Sequence, residues 1–376
     1  MDRSRVAYSN DSDFEAAFEQ IRAQLDGNDG SSPLLIIFTS TFGCFSRVSK
    51  MFKEAYPDTI SIGSSTYINY NNKGYSTSAV SALAVYSGIE LAAGVLHDIA
   101  TYPMRYSSVI EEAVDKIGNT ENTICFELTS AFLMCEELVQ DTFKSVLAPR
   151  DIPVFGGSAG APDWAEVSMI ALNGEVYQEA CVFVMIKNLC GRIYQFQDTP
   201  FEPTNASYIV TDVDCEDRML YELDGRPAAE TMSRALELSE TELNQQINSY
   251  PLGRIEDDKL YVTQPGHIFS GGRMNLFASM YNQIKVYQLK MGDILAMWKK
   301  IRGEINEKVM NPAFMVVINC EALSAYITGN QDSEDLFGQF SDELNLCNCN
   351  YVGISGHGEQ AGYEHFNQTV LMMLFE

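Results

Sequence analysis

The chain has 376 residues, more than one hydrophobic core of ordinary size holds, so two or more domains are expected. Its composition, 46% hydrophobic and 20% charged, excludes a disordered chain, which needs the opposite balance. With 51 acidic against 25 basic residues the net charge is −26, a field that repels phosphate backbones and anionic headgroups, so neither nucleic acid nor a membrane surface is expected as a partner.

The first residues lead into acidic sequence without an apolar stretch, so no secretory signal is expected. The longest apolar runs, 34–38, 181–186, 314–318 and 370–375, have strand length and fall far short of the roughly 20 residues of a membrane span. Nine cysteines, several of them inside apolar runs such as Cys125 and Cys181, read as reduced, mostly buried thiols of a cytoplasmic protein.

In chain order, a pattern appears three times. An apolar run at 34–38 passes through Thr39, Ser40 and Thr41 into a helix over 46–55, then a second run at 60–62 that ends in Gly63-Ser64-Ser65-Thr66. The second copy is a run at 123–126, a helix over 134–147 and a run at 152–155 that ends in Gly156-Gly157-Ser158-Ala159-Gly160. The third is a run at 314–318 ending in Asn319-Cys320-Glu321, a helix over 333–344, and a run at 350–354 ending in Ser355-Gly356-His357-Gly358-Glu359. A further β-rich run follows each copy, at 80–86, 167–172 and 369–375.

Short apolar runs joined by one helix read as strand–helix–strand units with parallel strands. A right-handed crossover then sends both polar segments of a copy to the same sheet end, the carboxyl end where open α/β sheets hold ligands. Between the second and third copies, residues 196–205 read as a linker. Strands follow at 219–223, 260–263 and 283–289, with helices at 228–238, 240–247 and 293–309. The expected class is α/β (mixed α+β), a two-domain layered sandwich of repeated strand–helix–strand units. The segments are an N-terminal stretch 1–31, a first module 32–215 and a second 216–376.

At these residues the sequence resembles the FIST family, with its FIST N and FIST C modules. The first module's pattern matches at Gly63-Ser64-Ser65-Thr66 and at Phe155-Gly156-Gly157-Ser158-Ala159-Gly160. The second matches at Leu223-Asp224-Gly225-Arg226-Pro227-Ala228, Tyr250-Pro251-Leu252-Gly253, Asn319-Cys320, Val352-Gly353 with Gly356-His357-Gly358-Glu359, and Asn367-Gln368-Thr369. The resemblance implies an intracellular bacterial sensor, not an enzyme, that binds a small molecule such as an amino acid or related metabolite. Some relatives bind haem and report nitric oxide, and many carry an output domain in cis. Here the sequence ends with its last strand, so the expected output is a separate signalling protein such as a kinase or chemoreceptor. The family commonly has Arg three residues after the second module's Cys, where this chain has Leu323.

The candidate ligand-binding residues are Cys320, Glu321, His357, Glu359, Asn367, Thr369, Gly157, Ser158, Gly63 and Ser64. The glycine loops offer either bared N–H groups for an anion or turns with positive φ. Cys320, His357 and Glu359, at the two strand ends of one crossover, also have the residue types of a thiolate nucleophile, base and orienting carboxylate, so a thiol-dependent enzyme stands as an alternative. Haem would take His267 or His357 as axial ligand. Cys347, Cys349, His357 and His365 match no common zinc spacing, so no metal is expected.

Overall fold

The structure, a computed structural model, describes residues 3–26, 30–162, 165–257, 259–329 and 335–376. In chain order it opens with β1 (Ser4–Ser9), α1 (Phe14–Leu25), β2 (Leu35–Ser40), α2 (Phe45–Ala55) and β3 (Ile60–Ser65). A short hairpin follows, β4 (Asn69–Asn71) and β5 (Gly74–Ser76), and then β6 (Val80–Val85). The same order repeats as β7 (Ile89–His97), α3 (Ser107–Ile117), β8 (Thr123–Thr129), α4 (Glu136–Leu147) and β9 (Val154–Ser158), the hairpin β10 (Ile170–Leu172) and β11 (Glu175–Tyr177), and β12 (Ala180–Asn188). A third copy starts with β13 (Ile193–Asp198) and is then interrupted.

The interruption is a compact unit of its own, Asp198–Met297 with His365–Thr369. It contains β14 (Phe201–Asp214), β15 (Met219–Leu223), β16 (Arg226–Pro227), α5 (Ala228–Leu236), α6 (Glu240–Gln245), β17 (Leu252–Glu256), β18 (Lys259–Thr263), β19 (Pro265–Ile268), β20 (Met274–Leu276) and β21 (Lys285–Met291). Its eight strands form an antiparallel sheet around the long β14, over a core that includes Val210, Leu220, Leu223, Met232, Leu252 and Met274.

The third copy then resumes with α7 (Ile294–Lys308), β22 (Phe314–Cys320), α8 (Glu321–Gly329), α9 (Leu336–Asn345), β23 (Asn350–Gly356), the hairpin β24 (Gly358–Ala361) and β25 (Glu364–Phe366), and β26 (Val370–Phe375). Each copy thus runs strand, helix, strand, helix, strand, hairpin, strand, with α8 and α9 filling the second helix position in the third. The three copies together make the other compact unit, Met1–Gln197, Trp298–Glu364 and Val370–Glu376.

Within that unit lie three six-stranded sheets, each with a parallel pair at its centre: β2 with β3, β8 with β9, β22 with β23. These strands are buried along nearly their whole length, as parallel strands covered on both faces must be. Against the first strand of each pair runs the copy's own last strand, β6, β12 or β26, antiparallel. Against the second runs a hairpin from a different copy. The hairpin β10–β11 of copy two joins the sheet of copy one, β24–β25 of copy three joins that of copy two, and β4–β5 of copy one joins that of copy three. Each copy donates one hairpin and receives one, so the exchange closes on itself.

Several expectations are corrected here. Residues 1–31, read only as a preceding stretch, supply the edge strand β1 and helix α1, whose N-cap Asp13 accepts from the Ala16 N–H at 2.9 Å. The run at 167–172 is the hairpin strand β10, and the closing strand of copy two is β12. The linker read at 196–205 is occupied by β13 and β14, with Pro203 beside a register shift. The helix placed at 333–344 begins in part outside the described residues (Ser333), and is α9; an unforeseen helix, α8, starts at Glu321 directly after β22. The compact units do not divide near residue 215, because the third repeat packs with the first two.

Candidate functional site

The hairpin pairings align the copies residue by residue. Gly63 lies opposite Ala171, Gly156 opposite Gln360 and Gly353 opposite Tyr70. Two residues further on, each copy has a serine: Ser65, Ser158 and Ser355. Two residues beyond each serine, a backbone N–H donates to the serine carbonyl of another copy. Gly160 donates to Ser65 at 3.0 Å, His357 to Ser158 at 3.2 Å and Tyr67 to Ser355 at 3.2 Å. These bonds form a closed ring of three at the carboxyl ends of the parallel strands.

The ring is tight enough to dictate glycine. A Cβ on Gly160 would stand 2.2 Å from the Ser355 carbonyl oxygen, and one on Gly356 would stand 2.0 Å from that of Ser158. Gly63, Gly156 and Gly157 are not at positive φ, which overturns the turn reading of these loops. They sit in buried strands, and Gly63 lies under the Phe38 ring, 2.5 Å from where its Cβ would be.

Beside the ring, the two strand ends of copy three emerge together, since Cys320 pairs with Gly356 in the parallel register. His357 Nε2 lies 3.4 Å from Glu321 Oε2, and the Phe132 ring meets the imidazole edge-on at 4.4 Å. The same Glu321 oxygen accepts the Ala161 N–H at 3.4 Å. Phe132 is held at φ 70° and Met134 at φ 50°, left-handed conformations that L side chains pay strain to adopt. The next residue after Ala161, Pro162, borders a cavity of about 340 Å³ whose other lining residues are Thr41, Phe42, Gly43, Thr66, Tyr67 and Thr77. Thr66 and Tyr67 belong to the ring loop itself.

Of the ten residues singled out from sequence, the structure gathers eight around this ring. Cys320 is 5% exposed at the end of β22, and Glu321 opens α8. Ser64 is buried and donates to the Ser65 carbonyl; Glu359 is buried opposite Gly157. Asn367 and Thr369 lie in the other compact unit. There Asn367 Oδ1 accepts the Gln264 N–H at 3.0 Å, and Thr369 Oγ1 donates to the Asn367 carbonyl at 2.9 Å. Both serve backbone groups.

Sequence reading passed over Phe42, Gly43, Tyr67, Thr77, Phe132 and Pro162. The signal was present for Tyr67, which occupies the position of His357 in the first copy.

His267 is exposed with its ring edge against Phe269, and His365 Nε2 lies 3.0 Å from the Phe277 carbonyl oxygen. Burial pushes the Cys347 thiol up to about 11 and that of Cys349 up to about 12, far from the thiolate a metal needs. Among the described residues no three metal-ligating side chains gather, and no helix is long and apolar enough to cross a membrane. Seven of the nine cysteines are buried.

No curated protein matches the chain. The family profile that matches is described as the FIST N domain and covers residues 33–226, more than half of the 376. That family is associated with sensory signal transduction and small-ligand binding. With the match reaching from β2 of the first repeat through the second and into the interrupting unit, the chain belongs to the FIST family.

Proposed function

We propose that the chain is an intracellular sensory protein, not an enzyme, that binds a small molecule such as an amino acid or related metabolite in the cavity beside the three-copy ring. The carrying observation is the position of that cavity. It opens at the carboxyl ends of parallel strands, where α/β sheets present loops to ligands. Its 340 Å³ falls at the small end of the range for metabolite sites. Thr41 and Thr77 bring hydroxyl groups to the lining, the Thr66 hydroxyl being engaged with Ile68 and Ser355, and Phe42, Tyr67 and Pro162 supply apolar surface.

The loops bordering the cavity are the ones that hydrogen-bond across copies. A ligand that favours one arrangement of Thr66 and Tyr67 therefore shifts the ring's population, and a separate protein such as a kinase or chemoreceptor reads that shift. Glu321 and His357 do not line the cavity itself; they connect to its edge only through the Ala161 N–H that Glu321 accepts, one residue before Pro162.

The test is a thermal-shift panel of amino acids, nucleotides and haem. A true ligand raises the melting point by mass action, about 2.7 kcal/mol of stabilisation at a hundred times its Kd. Gly43 lines the cavity, and a Cβ added there meets open space, so Gly43→Leu is the variant chosen to obstruct the site. The shift should vanish in this variant while its own melting point holds. A panel with no shift, or a variant that responds as fully as the native chain, contradicts the assignment.

A further inference from the structure

Beneath the copy-two arm of the ring lies a buried acid that the ligand reading does not use. Glu127, on β8, is 0% exposed. Its carboxyl occupies the space a side chain on Gly156 would need, with Cδ 2.6 Å from the ideal Cβ position. Oε2 accepts from Thr129 Oγ1 at 2.7 Å and from Cys181 Sγ at 3.4 Å, and Oε1 accepts from Gln140 Nε2 at 3.1 Å. The titratable groups that bear on it are Cys125 on its own strand, Cys181 on β12 and Glu136 on α4. Burial holds both thiols in the neutral form.

The neighbouring carboxylate leads to the ring. Glu136, 5% exposed, accepts from Ser158 Oγ at 3.1 Å, and Ser158 Oγ accepts in turn from Gln360 Nε2 at 3.0 Å. The carbonyl of the same Ser158 accepts the His357 N–H. Gln140, 1% exposed, has its Oε1 without a hydrogen-bond partner. A half turn of that amide presents Oε1 to a carboxyl proton, so the pocket can accept either charge state of Glu127.

We infer that Glu127 is a proton-binding site whose ionisation loosens the Ser158 arm of the ring, so that the protein responds to pH independently of any ligand. Protonated, Glu127 sits beside Glu136 without repulsion. As pH rises its proton leaves to solvent and two carboxylates share one buried pocket, which draws Glu136 away from Ser158.

The pH window follows from the direction of the shift. Desolvation pushes Glu127 from its ordinary 4.5 up to about 7, against the hydrogen bonds that favour the ion. A carboxyl raised by folding leaves stability intact at low pH and removes it as pH climbs from 4.5 to about 7, by up to about tenfold in the folding equilibrium per unit.

The experiment has two readouts. Infrared difference spectra of the native chain between pH 6 and 8 should show a protonated carboxyl band disappearing, and that band should be absent in Glu127→Gln. Over the same range, protection of the His357 amide against hydrogen exchange, corrected for intrinsic rate, should fall severalfold in the native chain and stay level in Glu127→Gln. If the variant fails to fold, the native chain alone decides. Absence of the band overturns the proton site, and level protection overturns its link to the ring.

Discussion

Glycine carries much of the specificity at the level of single residues, and it does so through space more than through turns. Gly353 is the clearest instance. A Cβ there would lie 1.9 Å from the Tyr70 ring, which is itself fully buried and hydrogen-bonded to Asn319 Oδ1. The ring has no room to retreat, because Phe337 and Phe340 pack on it at 5.2 and 6.0 Å. Gly353→Ala should therefore cost about 3 kcal/mol through overpacking, read as a lowered urea midpoint. Gly303, exposed within α7, has open space around its missing Cβ, so Gly303→Ala should add up to about 1 kcal/mol. Equal effects of the two substitutions would contradict the packing argument.

At the scale of elements, the hairpins decide which strands belong together. A chain ending at residue 226, where the family match stops, lacks β22 to β26. Its β4–β5 hairpin would have no sheet to join, and β9 would present an unpaired edge where β24 should lie. Such a chain should show no cooperative unfolding transition in urea, whereas the whole chain should; a sharp transition in the shortened chain would refute the exchange as a requirement.

The same elements show what was readable in the sequence. The buried runs of β2, β8 and β22, the helices between parallel strands and the common carboxyl rim were all legible, because continuous apolar runs and turn residues are local signals. The hairpins were not. β4, β5, β10, β11 and β25 have three residues each, too few for a period-two pattern to register, and their partners lie in other copies. The helix 134–147 was read two residues long because Met134, though apolar, is held at φ 50°. Glu321 and His357 were found by residue type and the approach of their two strand ends by topology, although the expected partners of His357 were Cys320 and Glu359 and the structure gives Glu321. The cavity was not found, since Phe42, Gly43 and Pro162 carry no chemical signature of their own.

For the whole molecule, one pattern used three times explains both the sheet orders and the ring, and the second unit reads as an insertion between β13 and α7 of the third copy. That accounts for the long interval between the second and third repeats in the sequence. If the three copies close through equivalent bonds, the amides of Tyr67, Gly160 and His357 should behave as one set. Native-state hydrogen exchange at pH 6 should find all three among the slowest in the chain, opening together at the free energy of global unfolding. One of the three exchanging at the rate of an open surface loop, while the other two stay protected, would contradict the closed ring.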